Sequence, residues 1–223
     1  MTGNDVSGTI PPEIFLSPSL KDIDLSDNAL SGEIPPLGSS IEILNLSSNN
    51  LSGPLGAVEG AQSLTHLDVT SNALEGPLPV ALFGSPLEIL SIGSNAFTGD
   101  LPTEISNAVS LTHATLGPNE FSGEIPESLG SLSNLVKLSL TDIPSLGGRI
   151  LKSWGTSLTN LEELVITGTN IGGNIPDNYG NFEKLVILNL SNNDMRGKLP
   201  EELGQMTSLR KCTEMICFTA KCL

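Results

Sequence analysis

Apolar residues in this chain recur at fixed offsets rather than in long runs. In the block Leu20, Ile23, Leu25, Asn28, Leu30, two apolar residues stand two positions apart and an asparagine follows three later. The spacing returns as Leu64, Leu67, Val69, Asn72, Leu74 and as Leu185, Leu188, Leu190, Asn193, Met195. An apolar pair separated by one polar residue predicts a strand with one buried face. Each block runs into a turn signal of Asn, Gly and Pro. The predicted strands are therefore short, about 3–5 residues each.

The period is set by a glycine. Gly8, Gly32, Gly53, Gly76, Gly99, Gly123, Gly148, Gly173 and Gly197 follow one another at 21 to 25 residues. Self-similarity at such a period predicts stacked supersecondary units, because one unit cannot bury its apolar face alone. Each coil adds a strand to a parallel sheet, with right-handed crossovers. A coil of this length encloses a narrow interior that Leu and Ile fill, which fits an aromatic share of only 4%. The expected layout is nine coils over residues 1–207, the first partial, and a degenerate tenth coil or tail over 208–223.

Asn4, Asn28, Asn49, Asn72, Asn95, Asn119 and Asn193 occupy one position, where the strand ends and the chain turns. An inward amide offers two donors and an acceptor there. It can satisfy backbone groups that the turn would leave unpaired inside the stack. The repetition is structural rather than catalytic.

The unit L-x-x-L-x-L-x-x-N-x-L-[ST]-G-x-[IL]-P closely resembles the plant-specific class of leucine-rich repeats, most clearly in "LSGEIP" at 30–35 and "FSGEIP" at 121–126. The resemblance covers almost the whole chain. It implies an α/β solenoid: a right-handed horseshoe with the main parallel sheet on its concave side and a second set of short strands around S-G-x-I-P. It also implies short helical turns on the convex side, as in "PESLGSLS" at 126–133. Members of the class are repeat ectodomains of receptor-like proteins and inhibitors of secreted hydrolases, so a non-catalytic scaffold binding a protein or peptide is expected. An extracellular or cell-surface setting is implied too. A structural or adhesion protein of the surface or wall, or a glycan-binding array of aligned hydroxyls, is the alternative.

Two features depart from the class. The opening "MTGNDVSGTIPPEIF" has neither a basic segment nor an apolar stretch of the signal-peptide kind, and it starts within a repeat rather than in a cysteine-paired cap. No apolar run approaches the roughly 20 residues of a membrane span. At the far end, Cys212, Cys217 and Cys222 are evenly spaced, and three thiols without a neighbouring His make a weak metal site. Within the array, the asparagine slot holds Ile143 in the seventh copy and Thr169 in the eighth. An inserted residue precedes Leu146, and Pro144 and the single Trp154 mark a locally different coil. The loop at 142–149 is where a partner would find a distinguishing feature.

Exposed strand positions alternate with buried ones. The third position runs Asp22, Ile43, His66, Ile89, His113, Lys137, Glu163, Ile187; the fifth runs Asp24, Asn45, Asp68, Ser91, Thr115, Ser139, Val165, Asn189. The seventh, read as exposed too, runs Ser26, Ser47, Thr70, Gly93, Gly117, Thr141, Thr167, Ser191. This face lacks Trp, Tyr and Arg, the residues that dominate hot spots. Candidate binding residues are Asp22, Asp24, Ile43, Asn45, His66, Asp68, Ile89 and His113. Asn45, Asn50 and Asn189 head N-x-S sequons and are candidate glycosylation acceptors, although the repeat consensus itself spells "NLS".

Catalysis, metals and cofactors are not expected. His66 and His113 lie two strands apart, roughly 10 Å at about 4.8 Å per strand, too far to share one metal or one proton. No G-x-S-x-G elbow is present. Charge narrows the partner further. The net charge is −15 with a pI of about 4.3, which excludes nucleic acid as a natural partner. Residues 1–136 carry sixteen acids and one base, Lys21, whereas 137–223 carry nine of each. The acidity either keeps the chain soluble or attracts a basic or Ca²⁺-bridged partner to the first half.

Overall fold

The computed structural model describes residues 2–213. Nine parallel strands, one per coil from the second to the tenth, lie side by side in strict sequence order. The third-position residues register one on another from Asp22 through Ile43, His66, Ile89, His113, Lys137 and Glu163 to Ile187. The series ends at Lys211 in the strand Lys211–Thr213, whose Cys212 pairs in register with Leu188. Cys217 and Cys222, with the apolar Met215, Ile216 and Phe218 beside them, lie outside the described residues.

The strands alternate as the pattern predicts. Ile23, Leu44, Leu67, Leu90, Ala114, Leu138, Leu164 and Leu188 point inward at 5% exposure or less. Behind them run further leucine and isoleucine columns, closed on the convex side by short turns such as Val80–Gly84, Thr103–Asn107 and Glu127–Ser131. Each of these turns starts after a proline that has no amide hydrogen to lose. Trp154 is fully buried in this narrow interior. Gly130 of the preceding coil makes the room, since a Cβ there would lie 3.1 Å from the indole Cδ1.

A second sheet follows the S-G-x-I-P segments, six strands from Ser7–Gly8 to Glu120–Ser122. It stops at coil six. Beyond that point, among the described residues, the bridges Glu124–Gly147 and Arg149–Gly172 and a two-strand pair, Gly172–Gly173 with Asp194–Met195, continue it. In the same coils the main strands lengthen from three residues to seven, Lys137–Ile143 and Glu163–Thr169.

The asparagines tie coil to coil. Asn72 accepts from the Leu51 amide at 3.0 Å and donates to the carbonyls of Leu46 and Val69 at 2.9 and 3.1 Å. Asn49, Asn95 and Asn119 repeat the pattern, accepting from Leu30, Leu74 and Phe97. Asn28 accepts from Val6, and Asn193 serves Thr169 of coil eight in the same way. Asn4 differs: it is exposed, its side chain donates to the Thr2 carbonyl and its main-chain amide to the Asp27 carbonyl.

The residue before each asparagine takes a left-handed conformation at Asp27, Ser48, Ser71, Ser94 and Asn192. Asp27 and Asn192 are of the kind that accepts that geometry most readily among non-glycine residues. At coil six the approach is closest. A Cβ on Gly117 would overlap the carbonyl oxygen of Thr141, so only glycine lets coils six and seven meet there.

Candidate functional site

The sheet face opposite the core is the surface with a regular array of unburied side chains. Parity explains it: with Leu67 at 0% exposure, His66 and Asp68 on either side must face outward. The candidate residues Asp22, Asp24, Ile43, Asn45, His66, Asp68, Ile89 and His113 thus stand in two adjacent columns across coils two to six. The seventh position varies along the array. Ser26, Gly93 and Gly117 are buried, whereas Ser47, Thr70 and Ser191 are half-buried although their strands also end at the fifth position. In the long strands of coils seven and eight, Thr141 and Thr167, also half-buried, are part of the strand itself.

The fifth-position column is held from below. Ser26 donates to Asp24 Oδ1 from its hydroxyl at 2.7 Å and its amide at 3.0 Å. Ser47 does the same for Asn45 and Ser191 for Asn189, and the Thr70 amide reaches Asp68 at 2.9 Å. These are Asx turns that close each strand. Burial pushes the Asp24 carboxyl up, but the two Ser26 bonds, the amino terminus and Asn45 together outweigh it. The carboxyl therefore sits below its ordinary value and is ionised across the neutral range. Asn50 is exposed on the second sheet, away from this face.

Both histidines are fixed by a threonine that the repeat pattern did not single out. Thr65 Oγ1 donates to the Glu42 carbonyl at 2.9 Å and lies 2.8 Å from His66 Nδ1. Thr112 Oγ1 donates to the Glu88 carbonyl at 2.9 Å and lies 2.8 Å from His113 Nδ1. A recurring Thr-His dipeptide at one coil position was the available signal. Farther along, Lys137 turns away to Glu163 at 3.3 Å. Among the described residues, no group of three or more His, Cys, Asp or Glu side chains is placed to hold a metal ion, and no helix is long and apolar enough to cross a membrane.

Comparison with known proteins gives the array its context. The family model for the Leucine Rich Repeat matches residues 19–39, 40–58 and 184–206, and a second Leucine Rich repeat model matches 60–77. No curated protein matches the sequence. Among solved structures, the Arabidopsis receptor kinase HAESA, in complex with the peptide hormone IDA and the co-receptor SERK1, superposes with a TM-score of 0.87 at 32% identity. That match covers 92% of this chain and 35% of the receptor chain. The plant peptide hormone receptor RGFR1, in complex with RGF2, gives 0.88 at 29% identity over 95% of this chain and 34% of its own. A plant ice-binding protein gives 0.71 at 23% identity, covering 95% of this chain and 78% of that one; it shares the fold alone. The chain thus spans about a third of the length of the two receptors it matches.

Proposed function

We propose that this chain, which belongs to the plant receptor-like class of leucine-rich-repeat proteins, is a non-catalytic recognition scaffold whose concave sheet binds a protein or peptide. The observation that carries the reading is the unbroken outward column from Asp22 to Ile187, in register across eight coils, beside a fifth-position column whose Asp24, Asn45, Asp68 and Asn189 are held by Asx turns. Rigid, pre-ordered side chains lose little entropy on binding. The likeness to receptor ectodomains solved with peptide hormones supports the same use of this fold.

The partner is basic on its contact side, and it engages coils two to five. Asp22, Asp24, Asp27 and Asp68 lie on or beside the sheet there, with Lys21 the one base of residues 1–136 and already paired with Glu42. A field of one sign accelerates encounter more than it tightens the complex. Screening shortens its reach to about 8 Å at physiological ionic strength. The triple variant Asp22→Lys, Asp24→Lys, Asp68→Lys should slow association and flatten its salt dependence. An unchanged rate and salt slope would place the contact elsewhere and leave the acidity to solubility.

Asn45 and Asn189 are the glycan acceptors that would matter, since a sugar on either would cover strands on this face. Retention on wall polysaccharide, with no discrete protein or peptide recovered by affinity capture, would favour the adhesion reading instead.

A further inference from the structure

The residue after each repeated glycine faces outward from the second sheet, because the one that follows it, such as Leu101, Ile125, Ile150 or Ile175, is buried. From coil four to coil nine these residues form one exposed line along the array: Pro77, Asp100, Glu124, Arg149, Asn174, Lys198. Their side chains lie flat. Asp100, Glu124, Arg149 and Asn174 each cover the glycine of the next coil, Gly123, Gly148, Gly173 or Gly197, where a Cβ would meet them. Arg149 thereby leans away from Glu124 of the coil before. Glu124, Arg149 and Lys198 all stand outside the ion pairs found among the described residues. Along the line the sign changes between coils six and seven, acids before the joint and bases after it.

Such an order constrains what can lie against the line. A second copy, placed face to face and turned about an in-plane two-fold axis across the line, meets the same residues in reverse. Where the axis falls decides which charges meet. On coil six it sets Glu124 against its own counterpart, on coil seven it does so for Arg149, and between coils five and six it opposes Asp100 to Glu124. Between coils seven and eight it overlaps only coils six to nine and leaves Arg149 facing Asn174. Between coils six and seven, Glu124 faces Arg149 of the second copy, Asp100 faces Asn174 and Pro77 faces Lys198, each pair made twice. No like charges then meet along the line, and every coil from four to nine takes part.

We propose that this flank is the contact face of a two-fold dimer of the chain, with its axis between coils six and seven. Coils four to nine extend about 29 Å at roughly 4.8 Å per strand, and seven residues of each flank segment about 23 Å at roughly 3.3 Å each. The pair then buries about 1,300 Å², near the low end of the range for specific interfaces. The opposed charges fix the register of the two copies more than they tighten the contact. Each chain carries a net charge of −15, so encounter is favoured at physiological ionic strength, where repulsion reaches only about 8 Å. The concave sheet stays open in both copies, and the contact is independent of what binds there.

Sedimentation velocity from micromolar to millimolar concentration, at physiological ionic strength, tests the dimer. The parent chain should pass from monomer to dimer and stop there. Arg149→Glu and Glu124→Arg should each weaken association at least tenfold, since each opposes like charges twice. Mixed in equal amounts, these two variants should associate as the parent does, because every opposed pair is again of opposite sign. The double variant Glu124→Arg, Arg149→Glu should do so too, and it decides the case if a single variant fails to melt cooperatively. Asp22→Lys, Asp24→Lys, Asp68→Lys, on the other sheet, should leave the dimer in place. A parent that stays monomeric at millimolar concentration, or that grows beyond two copies, would overturn the proposal. So would single variants as strong as the parent, a mixture and double variant that stay monomeric, or a dimer lost in the triple variant.

Discussion

Coils two to six and coils seven to eight solve one problem in two ways. At the end of every strand the chain turns, and the turn leaves amides and carbonyls facing the interior of the stack. In the first group a side-chain amide takes them up: Asn95 accepts from Leu74 and donates to Val69 and Ile92. In the second the strand simply runs on. Leu140 pairs with Ile166, Thr141 with Thr167 and Ile143 with Thr169, so the main-chain groups are used by the sheet itself. Ile143 then fills the old asparagine slot at 0% exposure. The longer main strands come with a second sheet reduced to single bridges. An amide ladder and a lengthened sheet are interchangeable as hydrogen-bonding solutions, and differ as surfaces, since the second makes the seventh position part of the strand.

The sharpest way to break the comparison is at the joint between the groups. Gly117→Val should destabilise the chain by about 3 kcal/mol or more, because its Cβ has no space against the Thr141 carbonyl. Chemical denaturation reads this directly, and a loss under about 1 kcal/mol would mean that coils six and seven can slide apart. Swapping the two solutions should cost less. Asn95→Ala is expected to lose about 2 kcal/mol by leaving buried backbone groups unpaired. Ile143→Asn should also destabilise, by about 1 kcal/mol or more, since the lengthened sheet has already used the partners a new amide would need. If Ile143→Asn stabilised the protein, the two solutions would not be equivalent at that position.

The smallest effect is one of pH, and it falls beyond the ladder. Tyr179 of coil eight is fully buried, with its hydroxyl donated to the Leu151 carbonyl at 3.2 Å, and burial holds its ionisation well above the ordinary value of 10.0. The neutral form is the one the fold keeps. Its contribution is therefore complete below pH 10 and is lost as pH rises from there towards the folded-state value. Amide exchange in coils eight and nine should accelerate on the alkaline side before it does in coils three to five. Tyr179→Phe should remove the difference.

The sequence was most informative where a side chain repeats its job. The strand positions, their register and the inward asparagines follow from a pattern that any one coil states and the next restates, and the second sheet from the resemblance that the pattern carries. What it could not show arises between coils. Ser26, Gly93 and Gly117 read as exposed by alternation and are buried, whereas Ser47 and Thr70 at the same position are half-buried. Asn4 carries the right letter, yet its side chain bonds within its own turn, to Thr2. The role of Thr65 and Thr112 depends on carbonyls in the preceding coil, at Glu42 and Glu88, which no local window contains. Trp154 reads from the sequence only as the mark of a different coil, and the room for its fully buried ring comes from Gly130, 24 residues earlier.

The ladder amides all reach backwards: Asn72 binds groups of coil three, Asn95 of coil four, Asn119 of coil five. Under a pulling force applied at the carboxyl end, that polarity makes the molecule a zipper. Each coil from six down to two would yield by breaking the same few bonds to its predecessor, and each rupture would release a similar length of slack, about 80 Å for a coil extended at about 3.4 Å per residue. Coils seven and eight, joined by seven-residue strands, would let go as one doubled step. A tether built this way gives under load in increments rather than all at once.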